Sequence, residues 1–167
     1  SMALGGFGIS MEELLNLYGA LGRGGKVASL RFAKQQPLQQ RPLISPQSAW
    51  IIHTMLASQT NSLQAITDNG PGDRPSLAYK TGTSFGYRDA WAFGVSGKFT
   101  IGVWVGRPDG TPSPGQYGAI TALPLLFQLD NWLGDSSAPE KPEGISQQTV
   151  CWPSGLRMQD NNLADCY

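Results

Sequence analysis

The chain has 167 residues, with 12 Lys plus Arg balanced by 12 Asp plus Glu and a charged fraction of 14%. That length holds one core of ordinary size. The balanced charge gives no field to steer nucleic acid or an anionic membrane, so neither is expected as a partner.

Ser1-Met2-Ala3-Leu4-Gly5 lacks the charged and apolar regions of a secretory signal, and no run of about 18 apolar residues follows to span a bilayer. After the flexible entry Gly5-Gly6-Phe7-Gly8, Ser10 stands before a helical pattern, with Glu13 placed to close a capping box. Leu14, Leu17, Tyr18 and Leu21 recur at helical spacing, and Gly22, Gly24 and Gly25 end the run. Residues 26–41 read as an extended excursion compatible with a short hairpin. Ser45 and Pro46 start a second helix, Ser45 as cap and Pro46 at the first position. Trp50, Ile51, Met55 and Leu56 form its apolar stripe, and Ser58-Gln59-Thr60-Asn61 is expected to end it. His53, beside the stripe, is the only histidine and reads as a satisfied structural residue rather than a catalyst. One histidine remote from both cysteines argues against a zinc site, and neither metal nor cofactor is expected.

Leu63 to Pro75 is a loop by its Gly, Pro and Asp content. Three strand candidates follow: Leu77–Thr83, Asp89–Val95 and Phe99–Gly106. Their short connections force antiparallel pairing, because a parallel pair needs a long crossover. The region should be a three-stranded meander. Arg107 to Gly115 is a turn-rich loop. Ala119 to Leu133 reads as a third helix, with Pro124 either kinking it or marking its first turn. The divisions expected are 1–134 as one domain, 135–148 as a linker and 149–167 as the start of a further domain. Cys151 and Cys166 lie in that tail, and the sequence leaves open a disulfide or two free thiols.

The chemistry is concentrated in Lys80-Thr81-Gly82, with Thr83 and Ser84 after it. On a strand the side chains alternate, so Lys80 can project a cation into a groove. Gly82 lets another group approach the backbone. Thr81 and Thr83 offer hydroxyls to a carboxylate, an exposed edge can add a peptide strand, and a free N–H can hold an oxyanion. The triplet alone is weak, since an ordinary strand ending at glycine looks the same.

Its surroundings are more specific. Tyr79-Lys80-Thr81-Gly82-Thr83-Ser84, Arg88-Asp89-Ala90-Trp91 and Gly102-Val103-Trp104-Val105-Gly106 resemble the third motif strand of the penicillin-binding transpeptidases and the two strands behind it. Gly102 to Tyr117 resembles the bifunctional class A subgroup. The Thr149-Val150-Cys151-Trp152-Pro153 run is similar to the start of that subgroup's C-terminal accessory domain. The resemblance implies an α/β (α+β) fold of the serine β-lactamase/transpeptidase type, an antiparallel sheet flanked by helices. It implies catalytic roles for Lys80 and Thr83, and substrate binding at Thr81, Gly82 and Ser84. Lys80 would support two serines of the site, Thr81 and Thr83 would bind the donor carboxylate, and the Thr83 N–H would share the oxyanion hole.

The family's Ser-x-x-Lys and Ser-x-Asn motifs are both missing from the chain. The resemblance therefore implies the C-terminal part of a transpeptidase domain, with nucleophile, glycosyltransferase domain and inner-membrane anchor upstream. The expected partners are peptidoglycan stem peptides, β-lactam antibiotics and the upstream half of the same domain, and the expected location is the bacterial periplasm. With three strands where the family has about five, the apolar faces at Trp91, Phe93, Val103 and Trp104 should lack cover, so self-association is expected. Two rivals remain at this level: a β-lactamase or D,D-carboxypeptidase of the same fold, and a non-catalytic interaction module.

Overall fold

Helix α1 (Met11–Gly22) begins where the sequence places it. The Ser10 hydroxyl accepts the Glu13 N–H at 3.2 Å, and the Glu13 carboxylate accepts the Ser10 N–H at 2.8 Å. These two bonds satisfy helix-end donors that would otherwise be orphaned. The computed structural model describes residues 7–64, 77–135, 137–151, 154, 155 and 157, with the backbone alone over 59–64. The excursion after α1 is an antiparallel hairpin of β1 (Lys26–Ala28) and β2 (Gln40–Pro42). The Asn16 side chain fastens it to α1: its Oδ1 accepts the Ala28 N–H at 2.9 Å and an Arg23 guanidinium N–H at 3.2 Å.

Helix α2 (Pro46–Gln64) starts at the expected proline, with Ser45 Oγ accepting the Ser48 N–H. Two expectations for it are corrected. The run 58–61 does not end it, and the helix continues to Gln64. Before and at the start of that run, Thr54 Oγ1 donates to the Trp50 carbonyl at 2.9 Å and Ser58 Oγ to the Met55 carbonyl at 2.7 Å. Hydroxyls bonded to carbonyls of their own helix are accommodated within it rather than capping its end. The buried face is also not the large apolar stripe. Ala49, His53 and Ala57 are buried, whereas Ile51 and Met55 are exposed. Small residues one turn apart let α2 approach the sheet closely, and the bulkier ones turn outward. The rest of the expected 63–75 loop, from residue 65, lies outside the described residues.

The sheet is the expected meander: β3 (Ala78–Thr83), β4 (Asp89–Val95) and β5 (Thr100–Gly106), in that order and antiparallel. Helix α3 (Gly118–Leu133) continues through Pro124, which sits well past the first turn on the exposed side. The carbonyl that proline leaves without an N–H partner belongs to Ile120, four residues back, and Ile120 is itself exposed.

Strand alternation divides the sheet into two covered faces. Leu77, Tyr79, Ala90, Ala92, Ile101 and Val103 face Ala122, Leu123 and Leu126 of α3 and form the core. On the opposite face, Tyr18 of α1 stacks on Phe93 at 5.0 Å, and Phe93 stacks on Trp91 at 5.8 Å. The expectation of uncovered sheet faces is thereby corrected: Phe93 and Val103 are buried, Trp91 is half-buried, and of the four only Trp104 is exposed, at 38%. Three helices cover the three strands, with α2 packed against β3, α1 against β4 and β5, and α3 against all three.

The described residues from 135 to 143 fold back on the domain. Asp135 accepts hydrogen bonds from Ser96 Oγ at 2.8 Å, the Lys98 N–H at 2.9 Å and both the N–H and hydroxyl of Ser137. These donors, Ser137 foremost, hold its carboxyl far below the usual carboxylate range. Gln47 donates to the Glu143 carbonyl, and Lys141 lies 5.7 Å from the Trp50 ring centre. Cys151 is buried and disulfide-bonded. Cys166 lies outside the described residues.

Candidate functional site

The site is the outer strand of the sheet. β3 pairs with β4 on one side, and no strand pairs with its other edge among the described residues. Lys80, Gly82 and Thr83 are exposed, and Thr81 and Ser84 are half-buried. All five candidate residues thus lie together along one strand and its first turn residue.

The register decides what each offers. Ser84 donates its N–H to the Asp89 carbonyl at 3.0 Å, directly continuing the pairing of Thr83 with Ala90. In an antiparallel ladder, hydrogen-bonded and non-bonded pairs alternate. Gly82 opposite Trp91 and Lys80 opposite Phe93 are then the bonded pairs. Thr81 and Thr83 direct their N–H and C=O groups to the open edge. The Thr81 carbonyl is reached there by the Lys80 ammonium, 2.8 Å away. The free edge is therefore lined by Thr81 and Thr83 backbone groups beside a lysine cation. That set can pair with an extended peptide and place an N–H against a developing negative charge.

The side chains divide by face. Lys80 and Gly82 lie on the face of Trp91 and Phe93, where α1 packs. Thr81 and Thr83 lie on the α3 face, and Thr83 Oγ1 accepts the N–H of Gly118, the first residue of α3, at 3.0 Å. Gly82 has no positive φ, and a Cβ built there would meet only the Trp91 Cβ at 3.7 Å, an ordinary contact. The fold of this chain does not require glycine at 82.

The turn after β3 is tightly determined. Gly86 and Tyr87 both have positive φ, at 76° and 58°. Tyr87 pairs its backbone with Ser84 and Ser113, and Ser84 Oγ accepts the Asp89 N–H at 2.8 Å. Ser84, read as substrate-binding, is therefore also the residue that closes this turn. Asp89 accepts the Trp104 indole N–H at 2.9 Å, a clasp across the sheet. Phe85, at the tip, is 98% exposed. Among the described residues no cluster of His, Cys, Asp and Glu could hold a metal ion, and no helix is long and apolar enough to cross a membrane.

Gly118 is the participant that the sequence reading overlooked. Its only signal is a glycine opening a helix after Gln116-Tyr117, a commonplace pattern.

An antiparallel sheet covered by helices on both faces, with Lys-Thr-Gly on its open edge, defines the fold class of the serine transpeptidases and β-lactamases. The chain belongs to the penicillin-binding protein transpeptidase domain family, whose sequence profile matches residues 1–106. It is 43% identical over 166 residues to penicillin-binding protein 1C of Escherichia coli K12, covering 97% of this chain and 21% of that protein. It is 28% identical to penicillin-binding protein 1B of Vibrio cholerae, covering 93% of this chain and 20% of that one. In fold it matches the crystal structure of penicillin-binding protein 1A from Haemophilus influenzae, with a TM-score of 0.70 and 18% identity, over 92% of this chain and 31% of that one. The chain thus spans about a fifth of the length of these curated relatives.

Proposed function

We propose that this chain is the substrate-binding wall of a peptidoglycan D,D-transpeptidase site, completed by upstream sequence that carries the nucleophilic serine and its lysine. The observation that carries the reading is the β3 edge, where the register turns the Thr81 and Thr83 backbone groups outward beside the Lys80 ammonium. In the intact protein a serine hydroxyl attacks an amide carbonyl of the donor stem peptide or of a β-lactam, and the C–N bond breaks. The nitrogen takes up the proton and either leaves with the terminal residue or stays tethered in the opened lactam, and the acyl-enzyme remains. The Thr83 N–H helps hold the oxyanion, Thr81 and Thr83 hydroxyls hold the substrate carboxylate, and Lys80 supplies positive charge to the serines. Gly82 leaves room for the group that approaches this face. Ser84 shapes the end of the cleft through the turn it closes.

The parent protein carries a glycosyltransferase domain upstream and acts in the bacterial periplasm from an inner-membrane anchor, a reading supported by likeness to the 1A, 1B and 1C proteins. Residues 149–167 begin an accessory domain. The chain by itself has no Ser-x-x-Lys, so it should not be acylated. Fluorescent penicillin tests both halves of the proposal. The isolated chain is expected to stay unlabelled and the full-length protein to label at a single serine. Labelling of the isolated chain, or none of the full-length protein, sinks the reading. An upstream sequence without Ser-x-x-Lys would leave an edge that binds peptide without being acylated by it.

A further inference from the structure

Gly118 touches the motif strand in two independent ways. Its N–H donates to Thr83 Oγ1 at 3.0 Å. A Cβ at Gly118 would stand 2.5 Å from both the Gly82 and the Trp91 carbonyl oxygens and 3.0 Å from the Gly82 nitrogen. Gly82 and Trp91 are register partners, so Gly118 is pressed over the ladder rung next to Thr83. No side chain fits there while α3 keeps its seat, since the atoms in the way are backbone and cannot swing aside. The residue before it, Tyr117, makes no side-chain cap, and a hydroxyl from the motif strand satisfies this first N–H of the helix.

We propose that Gly118 is a positioning residue for the carboxylate-binding hydroxyl of the site. A hydroxyl has one hydrogen to donate and lone pairs to accept. With a lone pair of Thr83 Oγ1 occupied by the Gly118 N–H on the α3 side, the hydroxyl hydrogen is left to point away from α3. Thr83 is thereby held as a donor, which is the role an anionic substrate group needs. The same contact fixes the height of β3 above the helix, because Gly118 rests on the backbone of Gly82. Substitution at 118 would lift the Thr81–Thr83 segment or withdraw the N–H from Thr83, and in either case release the hydroxyl to rotate. The inference rests on the transpeptidase reading and adds to it a residue that touches no substrate.

The test uses the full-length protein and a pair of probes, benzylpenicillin and its methyl ester, which lacks the anionic carboxylate. A charge-assisted hydrogen bond is worth roughly tenfold or more in rate when it is misdirected. Gly118→Ala is expected to slow acylation by the free acid about tenfold and to change the ester rate by less than about twofold, so that the preference for the carboxylate collapses. Equal losses with both probes, or no loss with either, overturn the proposal. A wild-type protein that neither probe acylates would instead overturn the transpeptidase reading itself. Should Gly118→Ala not fold, hydrogen exchange at the Gly118 amide decides. The amide is expected to exchange slowly in the wild type and about tenfold faster in Thr83→Val, with Ile120 and Thr121 unchanged. Protection that survives Thr83→Val removes the hydrogen bond on which the proposal stands.

Discussion

Gly118 of α3 rests on the backbone of Gly82, and the two are glycine for different reasons. At 118 a Cβ meets backbone oxygens at 2.5 Å; at 82 it meets one side-chain atom at 3.7 Å. The first glycine is required by the fold and the second is not, so the second must answer to something outside this chain. Gly82→Ala should therefore leave the isolated chain as stable or more so, by about 0.5–1 kcal/mol, since glycine in a strand costs roughly that much in entropy. In the full-length protein the same change should slow penicillin acylation about a hundredfold, the scale expected when a reacting group is displaced by about 1 Å. Urea melts and labelling kinetics check the two halves. A destabilised chain with normal acylation would mean that Gly82 is structural. The Lys-Thr-Gly triplet was legible in the sequence, but this difference between the glycines was not, because it depends on what lies opposite each.

Among the elements, α2 is where pattern reading and packing part. Its largest apolar side chains suggested a buried stripe, yet the buried face carries Ala49, His53 and Ala57. His53 is 3% exposed and bonds through Nε2 to the Val95 carbonyl at 3.2 Å, which ties α2 to the sheet. Burial pushes its pKa below the ordinary value, and the Val95 carbonyl offsets this in part. As pH falls through about 6.5 the unfolded chain takes up a proton that the folded chain refuses. The stability that neutral His53 supplies is full above that pH and is lost progressively below it. The urea midpoint of the isolated chain should drop between about pH 7 and 5, and His53→Gln, which keeps a donor for the carbonyl, should flatten that drop. An identical pH profile in the variant would show that another group sets it. The capping box at Ser10 and Glu13 and the Pro46 start were readable because helix ends are local events. The face a helix buries is set by its neighbours.

Among the described residues the two faces of the sheet are covered, and exposed apolar surface remains on the helices and at loop residues such as Phe32 and Phe85. Ile51, Ile52 and Met55 on α2 and Leu125, Leu129 and Trp132 on α3 are exposed, Trp132 at 83%. The outer edges of β3 and β5 are unpaired among the described residues. Edges and apolar helix faces together favour association with like surfaces. The isolated chain is expected to show a sedimentation coefficient that rises with concentration, and the upstream half of the domain, supplied in trans, is expected to suppress the rise. A monomer across the accessible concentration range would count against both the expected self-association and the dependence on an upstream half.

The sequence by itself determined the starts of α1 and α2, the order and direction of the three strands, and the motif that ties the chain to its family. Capping, turn composition and strand alternation act over a few residues, and they are written in the chain next to the groups they control. It also determined that no Ser-x-x-Lys lies within these 167 residues. Only the tertiary structure decided which face of α2 is buried, that Asp135, Lys141 and Glu143 hold the segment after α3 against the domain, and that Thr83 is bonded to Gly118 across 35 residues of chain. It decided too which backbone groups of the motif strand face the open edge. That last point turns on register, and register is a relation between two strands that neither segment states alone.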